Sequence, residues 1–470
     1  KYLVISGRNG PHSFIAGLKD DVPFFTRADY QSYVARLKQA PAYFAAVEER
    51  LAKGVESGWT QPCVIMQNFA KGVDFHVVVA AEKSALFEPF RTKPDAVDAS
   101  DWAALTAEAR KTIQSSVVPA IKGFSEFYKT RYAPHCRQTV GLSDLPGGRA
   151  FYDFSARQYT TTTMSTDAIH ALGLEEVARI RKEMNKVIAS TGFKGDFKAF
   201  QKFLREDPRF YAKTPKQLME ANALVAKRMD GELPKLFTRL PRMPYTVKEI
   251  PADIAEGTTT AYYEPPAGDG SRAGVYRINT SKLDQRPLYE IEALTLHEAV
   301  PGHHLQIALS QELTLPQFRK FGFFTAFVEG WGLYAESLGR EVGFYDDPYS
   351  DFGRLSYEMW RACRLVVDTG LHAKGWTKEE AVRFMTDNTA LSAGNIDAEV
   401  NRYIGNGGQA LAYKIGELKI RELRARATQS LGAKFDVRRF HDAVLENGAV
   451  PLSALEAKID AWIAAEKARP

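Results

Sequence analysis

The chain has 470 residues, enough for one large core or two ordinary ones. Its 45% hydrophobic and 25% charged residues are typical of a globular protein. A net charge of +5, with lysines and arginines scattered among acids, gives no electrostatic footprint for nucleic acid or for an anionic membrane surface, and no apolar run approaches the ~20 residues of a membrane span.

The sequence starts "KYLVISGRNG", with Lys1 where a start methionine would stand, which leaves room for a removed leader. Two long stretches follow, "RADYQSYVARLKQAPAYFAAVEERLAKGV" and "ASDWAALTAEARKTIQSSVVPAIKGFSEFYKTRY", with apolar residues at three- and four-residue spacing, the period of an amphipathic helix. Cys63, Cys136 and Cys363 lie far apart without a C-x-x-C pair and read as small buried hydrophobes, with a single Cys63–Cys136 or Cys136–Cys363 bridge left open. His135 beside Cys136 has no neighbouring ligand pair and reads as structural.

"STDAIHALGLEEVARIRKEMNKVIAS" opens on a capping residue, Ser165 or Thr166, with acids in its first turns. "TPKQLMEANALVAKRMDGELPKLF" starts at Thr214-Pro215, and Gly231 is expected to interrupt it. Residues 243–280 differ: rich in Gly, Pro, Thr and Tyr, they predict a small strand-and-loop insert. Helix then resumes to the C-terminus, with breaks at "SAGNID" and "IGNGGQ". The reading is mainly α: a two-lobed helical chain, residues 1–150 an N-terminal lobe and 151–470 a lobe carrying the chemistry.

The chemistry concentrates in "LTLHEAVPGHHLQ", which holds three of the chain's nine histidines. Zinc takes imidazole and carboxylate ligands at roughly 2 Å, and a catalytic site keeps one position open. In His-Glu-x-x-His the two histidines share one helix face and the glutamate serves as base. Here His297-Glu298 is intact, but the next histidines are six and seven residues on, at His303 and His304. Seven residues of unbroken helix rise about 10.5 Å, too far for one metal. Pro301 cannot donate to the carbonyl of His297, and Gly302 tolerates unusual dihedrals, so a kink or π-bulge there would return His303 or His304 to the metal. A third ligand is available in "AFVEGWGLYAESLGRE", helical by pattern and largely apolar. Glu329 in this segment would be buried and in need of a partner or a metal, and a returning helix would carry it to the histidines. Trp331 and the Phe321, Phe323, Phe324, Phe327 cluster read as core. Taken alone, three histidines beside Pro-Gly read equally well as exposed rings at a helix N-terminus.

"HEAVPGHHLQ", "FVEGWGLYAE" and "EVNRYIGNGGQALAYKIG", with "GLEEVARIRKEM", "AYYEPP" and "GSRAGVYRINT" upstream, resemble the signature blocks of a bacterial family known as domain of unknown function 885. More distantly the chain is similar to the helical gluzincin peptidases: thimet oligopeptidase, angiotensin-converting enzyme and carboxypeptidase Taq. The resemblance implies a helical metallopeptidase-like fold and one zinc ion. It implies His297 as first ligand, His303 or His304 as second, Glu329 as third, Glu298 as general base, and Glu336 as a supporting carboxylate. In those peptidases a Gly/Tyr-rich segment near the C-terminus supplies phenol donors to an oxyanion, which points to Tyr403 and Tyr413. By side-chain type alone, Arg272, Arg402, Gln409 and Lys414 are candidates for substrate binding. Two departures stand out: the extra residues between the histidines are absent from those peptidases, and Gly407 replaces the Pro usual in the smaller family.

The expectation is therefore a zinc-dependent hydrolase of short peptides, oligopeptidase or carboxypeptidase in type, in the bacterial envelope or periplasm or else cytoplasmic. The alternatives are a non-catalytic binding protein that keeps the fold and a metal hydrolase of another amide or ester.

Overall fold

Apolar stripes at helical spacing decide most of what forms. The computed structural model describes residues 2–7, 9–255 and 258–469. They divide into two units, residues 1–148 with 404–406, and residues 149–403 with 407–470.

In the first unit, helices Arg27–Leu37 and Ala40–Glu56 bury Tyr30, Tyr33, Leu37, Phe44 and Leu51. They break at Lys38-Gln39 because Pro41 has no amide to donate to the carbonyl of Leu37. Farther on, Ala99–Thr112 and Val118–Phe127 are joined by a π-helical turn, Ile113–Val117. That turn absorbs Pro119, whose ring would crowd the α-helical carbonyl one turn back. Cys63 and Cys136 form a disulfide, so the reading of all three cysteines as small hydrophobes holds only for the free, buried Cys363. His135 accepts no special duty: its Nδ1 bonds the carbonyl of Arg131 at 3.0 Å.

The second unit is built on pairs of long helices. Thr166–Ser190 starts at Ser165, whose side chain accepts from the amide of Ala168. It lies along Pro348–Ala373, and Gly173 permits the approach: a Cβ there would stand 2.7 Å from Leu365. Thr325–Leu338 crosses Ala412–Leu431 where Gly330 faces Gly416, and a Cβ on Gly330 would meet Gly416 at 2.5 Å. Helix Pro215–Leu236 runs through Gly231 without the expected interruption, held by Met229, Leu233 and Leu236, which are buried on its inner face.

The insert is a three-stranded sheet of order β1-β3-β2. β3 (Gly274–Ile278) pairs in parallel with β1 (Tyr245–Glu249) and antiparallel with β2 (Ala261–Glu264). Val275, Tyr276 and Ile278 make the central strand almost wholly buried. The protein is thus mainly α with a small strand insert. The phenylalanine cluster divides: Phe327 is core, Phe324 is half-buried, and Phe321 and Phe323 are exposed, because these last three precede helix Thr325–Leu338 and do not lie in it. Among the described residues, no helix is long and apolar enough to cross a membrane.

Candidate metal centre

The helix that begins the motif, Ile291–Glu298, ends abruptly, and a second helix, His303–Glu312, starts after four intervening residues. Between them Ala299 (φ −95°, ψ −107°) and Gly302 (φ −76°, ψ −125°) leave the helical region, and the Val300–Pro301 bond is cis. The overlong spacing is resolved by this full break, not by a kink or a π-bulge inside one helix. Gly302 is required sterically, since a Cβ there would lie 1.9 Å from the carbonyl oxygen of His297. The turn is pinned from both sides: Trp331 Nε1 donates to the carbonyl of Pro301 at 2.8 Å, and the amide of His304 to Ala299 at 3.0 Å.

The break sets His303, first residue of the second helix, opposite His297, last but one of the first. Their rings stand nearly perpendicular, at 85°, with centroids 4.6 Å apart. Glu329 comes in from the Thr325–Leu338 helix. Its Oε2 lies 3.5 Å from Nε2 of His297 and 3.4 Å from Nε2 of His303. His297, His303 and Glu329 are the group of metal-capable side chains whose ligand atoms all fall within 4.8 Å of one another among the described residues. A tetrahedral ion with bonds of about 2.0–2.1 Å spaces its ligand atoms roughly 3.3–3.4 Å apart. Two nitrogens and a carboxylate oxygen at these separations fit zinc by both geometry and donor type.

The same helix face prepares His297 along its whole ring. Glu336, two turns after Glu329, accepts from Nδ1 of His297 at 2.8 Å. An ionised carboxylate only accepts, so Nδ1 carries a proton, and Nε2 is the nitrogen turned toward Glu329 and His303. Glu336 is in turn held by Arg361, at 3.1 Å. Gly332 sits between the two glutamates and lets the ring lie flat on the helix, where a Cβ would come within 2.8 Å of Cε1. Burial opposes charge on His297, yet hydrogen bonds to Glu329 and Glu336 overcome it and lift its pKa to about 9. Burial likewise opposes charge on Glu329, and the two histidines hold its carboxyl well below the usual range. Both ring nitrogens of His297 thus face carboxylates, and the proton on Nε2 is the one a bound metal would displace.

Glu298 follows His297 at the end of its helix. It is half-buried, its charge acts on His297 and on the Tyr276 phenol, and among the described residues it has no hydrogen-bond or ion-pair partner. Tyr413 lies close enough to Glu329 for that charge, after burial, to raise its phenol. Its ring is backed by the Arg364 guanidinium, 4.2 Å from the centroid.

Other expected residues are employed elsewhere. His304 is turned away from the cluster: Tyr263 hydroxyl donates to Nδ1 at 2.8 Å and Nε2 donates to the carbonyl of Met243 at 3.0 Å. Burial drives its pKa down to about 4, so it is a neutral clasp between the sheet insert and the second motif helix. Tyr403 is fully buried, and its hydroxyl accepts from Trp360 Nε1 at 2.9 Å and Arg364 Nε at 3.0 Å while bonding Glu399. It has no donor left for an oxyanion. Lys414 is wholly buried among Glu176, Glu358 and Glu417 at 2.9, 3.0 and 2.9 Å, a structural ion cluster and not a substrate anchor. Arg402 is bound to Glu399 and to Gln409, so neither Arg402 nor Gln409 is free. Arg272 is exposed on the β2–β3 loop near Tyr263, outside the cluster.

Arg361, Arg364 and Gly332 escape a motif search. The signal for the first two was present: "RLSYEMWRACRLVVDTGLH" places charges at helical spacing inside an apolar stretch, and buried charges require partners.

Residues 3–459 match the family of bacterial proteins of unknown function, DUF885. The chain belongs to this family. Two solved structures, each described as a "putative lipoprotein", are similar to it. That of Colwellia psychrerythraea shares 33% identity over 95% of this chain and 78% of its own, with a TM-score of 0.90. That of Shewanella oneidensis, of unknown function, shares 18% identity over 92% of this chain and 78% of its own, with a TM-score of 0.63, a likeness of fold alone. No functionally curated protein matches this DUF885 chain.

Proposed function

We propose that this DUF885 protein is a zinc-dependent hydrolase that cleaves peptide bonds of short peptides. The observation that carries the reading is the convergence of His297, His303 and Glu329, whose ligand atoms all lie within 4.8 Å of one another, with Glu329 Oε2 at 3.5 and 3.4 Å from the two Nε2 atoms. The likeness of "VEGWGLYAE" to the glutamate segment of the helical gluzincin peptidases, together with the His297-Glu298 pair, suggests the reaction class. His297, His303 and Glu329 would hold the zinc, which when bound would supply Lewis acidity to a carbonyl and to water. Glu298, without a partner among the described residues, takes a proton from the attacking water and delivers it to the leaving amine. Glu336 fixes the tautomer of His297, and Arg361 fixes Glu336. Tyr413, the candidate phenol with a route to Glu329, donates to the developing oxyanion, while Arg364 behind its ring orients it.

An envelope location goes with this reading. The Cys63–Cys136 bridge fits an oxidising compartment, and the similar Colwellia and Shewanella structures are each described as a "putative lipoprotein".

The test is metal analysis of protein purified without chelator, paired with cleavage of a fluorogenic peptide library. About one zinc per chain is expected, and Glu298→Gln should keep the metal while losing roughly 10²–10⁴-fold in cleavage rate. A chain that binds no zinc even when supplemented overturns the site; cleavage unchanged in Glu298→Gln overturns the mechanism. A wild-type chain that holds zinc yet cleaves no peptide leaves the binding protein, or a hydrolase of another amide or ester, in its place.

A further inference from the structure

Whole-chain charge conceals a local concentration in the second unit. The connection between helices His303–Glu312 and Thr325–Leu338 reads "LTLPQFRKFGFF" and contains no acid. Within it Phe318 is 76% exposed, Phe321 57% and Phe323 61%. These rings are not loose ends of a poorly held loop. Ser310 Oγ donates to the carbonyl of Lys320 at 3.1 Å, and Arg319 Nη2 donates to that of Asn447 at 3.0 Å. Phe321 rests on the backbone at Gly268, where a Cβ would come within 2.8 Å of the ring. The inner side of the loop is tied down while its aromatic side faces solvent.

A second acid-free stretch, "FTRLPRM", adjoins it. Arg242 of this stretch pairs with Glu312, the last residue of the helix that leads into the loop. It brings exposed Leu240, Arg239 and Arg242 to the same region as Arg319 and Lys320. Lys320, Arg239 and Arg242 thus lie along the same connected stretches as the exposed Phe318, Phe321, Phe323 and Leu240. The neighbouring acids Glu312, Asp442 and Asp269 already hold partners in Arg242, Thr238 and Ser271.

Charge and shape select the occupant. Three phenylalanines exposed by about two-thirds present roughly 400 Å² of apolar surface on projecting rings. Projecting aromatic rings flanked by Lys and Arg are the chemistry of the lipid interface, where rings enter the headgroup layer and cations meet anionic headgroups. We propose that the 313–324 loop, with residues 239–242, docks this protein on an anionic lipid surface. The surface is independent of the hydrolase reading, since none of its residues belongs to the metal cluster.

The experiment is co-sedimentation of the full chain with vesicles of phosphatidylcholine plus phosphatidylglycerol, against phosphatidylcholine alone. Stronger partitioning onto the anionic vesicles is expected. Phe318→Ser/Phe321→Ser/Phe323→Ser should weaken it roughly tenfold or more, and Arg239→Glu/Lys320→Glu should remove the preference for the anionic lipid. Far-UV circular dichroism checks that both variants are folded. A direct reading comes from Phe318→Cys labelled with bimane, whose emission should shift to the blue on vesicle addition. Partitioning of the triple-serine variant equal to that of the parent overturns the proposal, as does a bimane spectrum that vesicles leave unmoved. Self-association seen by light scattering and abolished by the triple variant, without vesicle binding, assigns the patch to a second copy of the chain and also overturns it.

Discussion

At the scale of single residues, one helix face carries the argument. Glu329, Gly332 and Glu336 recur at three and four positions, so they stack on one side of Thr325–Leu338. Together they hold both nitrogens and the flat of His297. Replacing Glu336 with Gln removes the charge that keeps Nδ1 protonated, and zinc affinity should fall about 10–100-fold. Gly332→Ala should weaken zinc as well, because the added methyl occupies space the ring now fills. Chelator competition read by metal analysis checks both variants, and affinity unchanged in both would remove the face from the account of the site. The glutamates were legible in sequence because a carboxylate in an apolar helix demands a partner. Gly332 was not, since a glycine's use depends on what lies across from it. His304 and Tyr403 misled for the same reason: side-chain type does not reveal which hydrogen bonds are already made.

At the scale of elements, the break at residues 299–302 converts an unusable spacing into a site. Proline in position 301 announces some interruption from sequence alone, but its extent depends on dihedrals at Ala299 and Gly302 that no pattern encodes. The chain contains a built-in comparison. At Gly302 a Cβ would collide with backbone, so Gly302→Ala should destabilise the protein by about 1–3 kcal/mol and cost it zinc. At Gly231, exposed in mid-helix with nothing within 4 Å, Gly231→Ala should stabilise by about 0.5–1 kcal/mol through helix propensity. Thermal melts of the two variants should move in opposite directions. A Gly302→Ala chain that keeps both its melting temperature and its zinc would show that the turn is not what sets His303. The same contrast explains the expected interruption at Gly231: glycine permits a break, but buried neighbours on both sides decide whether one occurs.

At the scale of the molecule, the two units are stabilised by different means. The second encloses a set of charged side chains on helix Pro348–Ala373 and its neighbours, with Lys414 among three glutamates and Arg361 on Glu336. The first has an aromatic core of Tyr33, Phe44, Phe69, Phe124 and Tyr132, and the disulfide. Mainly helical character and the strand insert were legible because periodicity survives in any single sequence, whereas the pairing of two cysteines 73 residues apart required the fold that brings them together. Closing a loop of that length restricts the unfolded chain by about 4 kcal/mol in the entropy model, within the usual 2–5 kcal/mol. Reduction, or Cys63→Ser/Cys136→Ser, should therefore lower the unfolding transition of the first unit by about that free energy in calorimetry. Zinc content should not change, because His297, His303, Glu329 and Glu336 all belong to the second unit. A transition that ignores reductant would mean the bridge adds nothing to folding. Loss of zinc in step with reduction would mean instead that the ligand set depends on the first unit's integrity, which the residues forming it give no reason to expect.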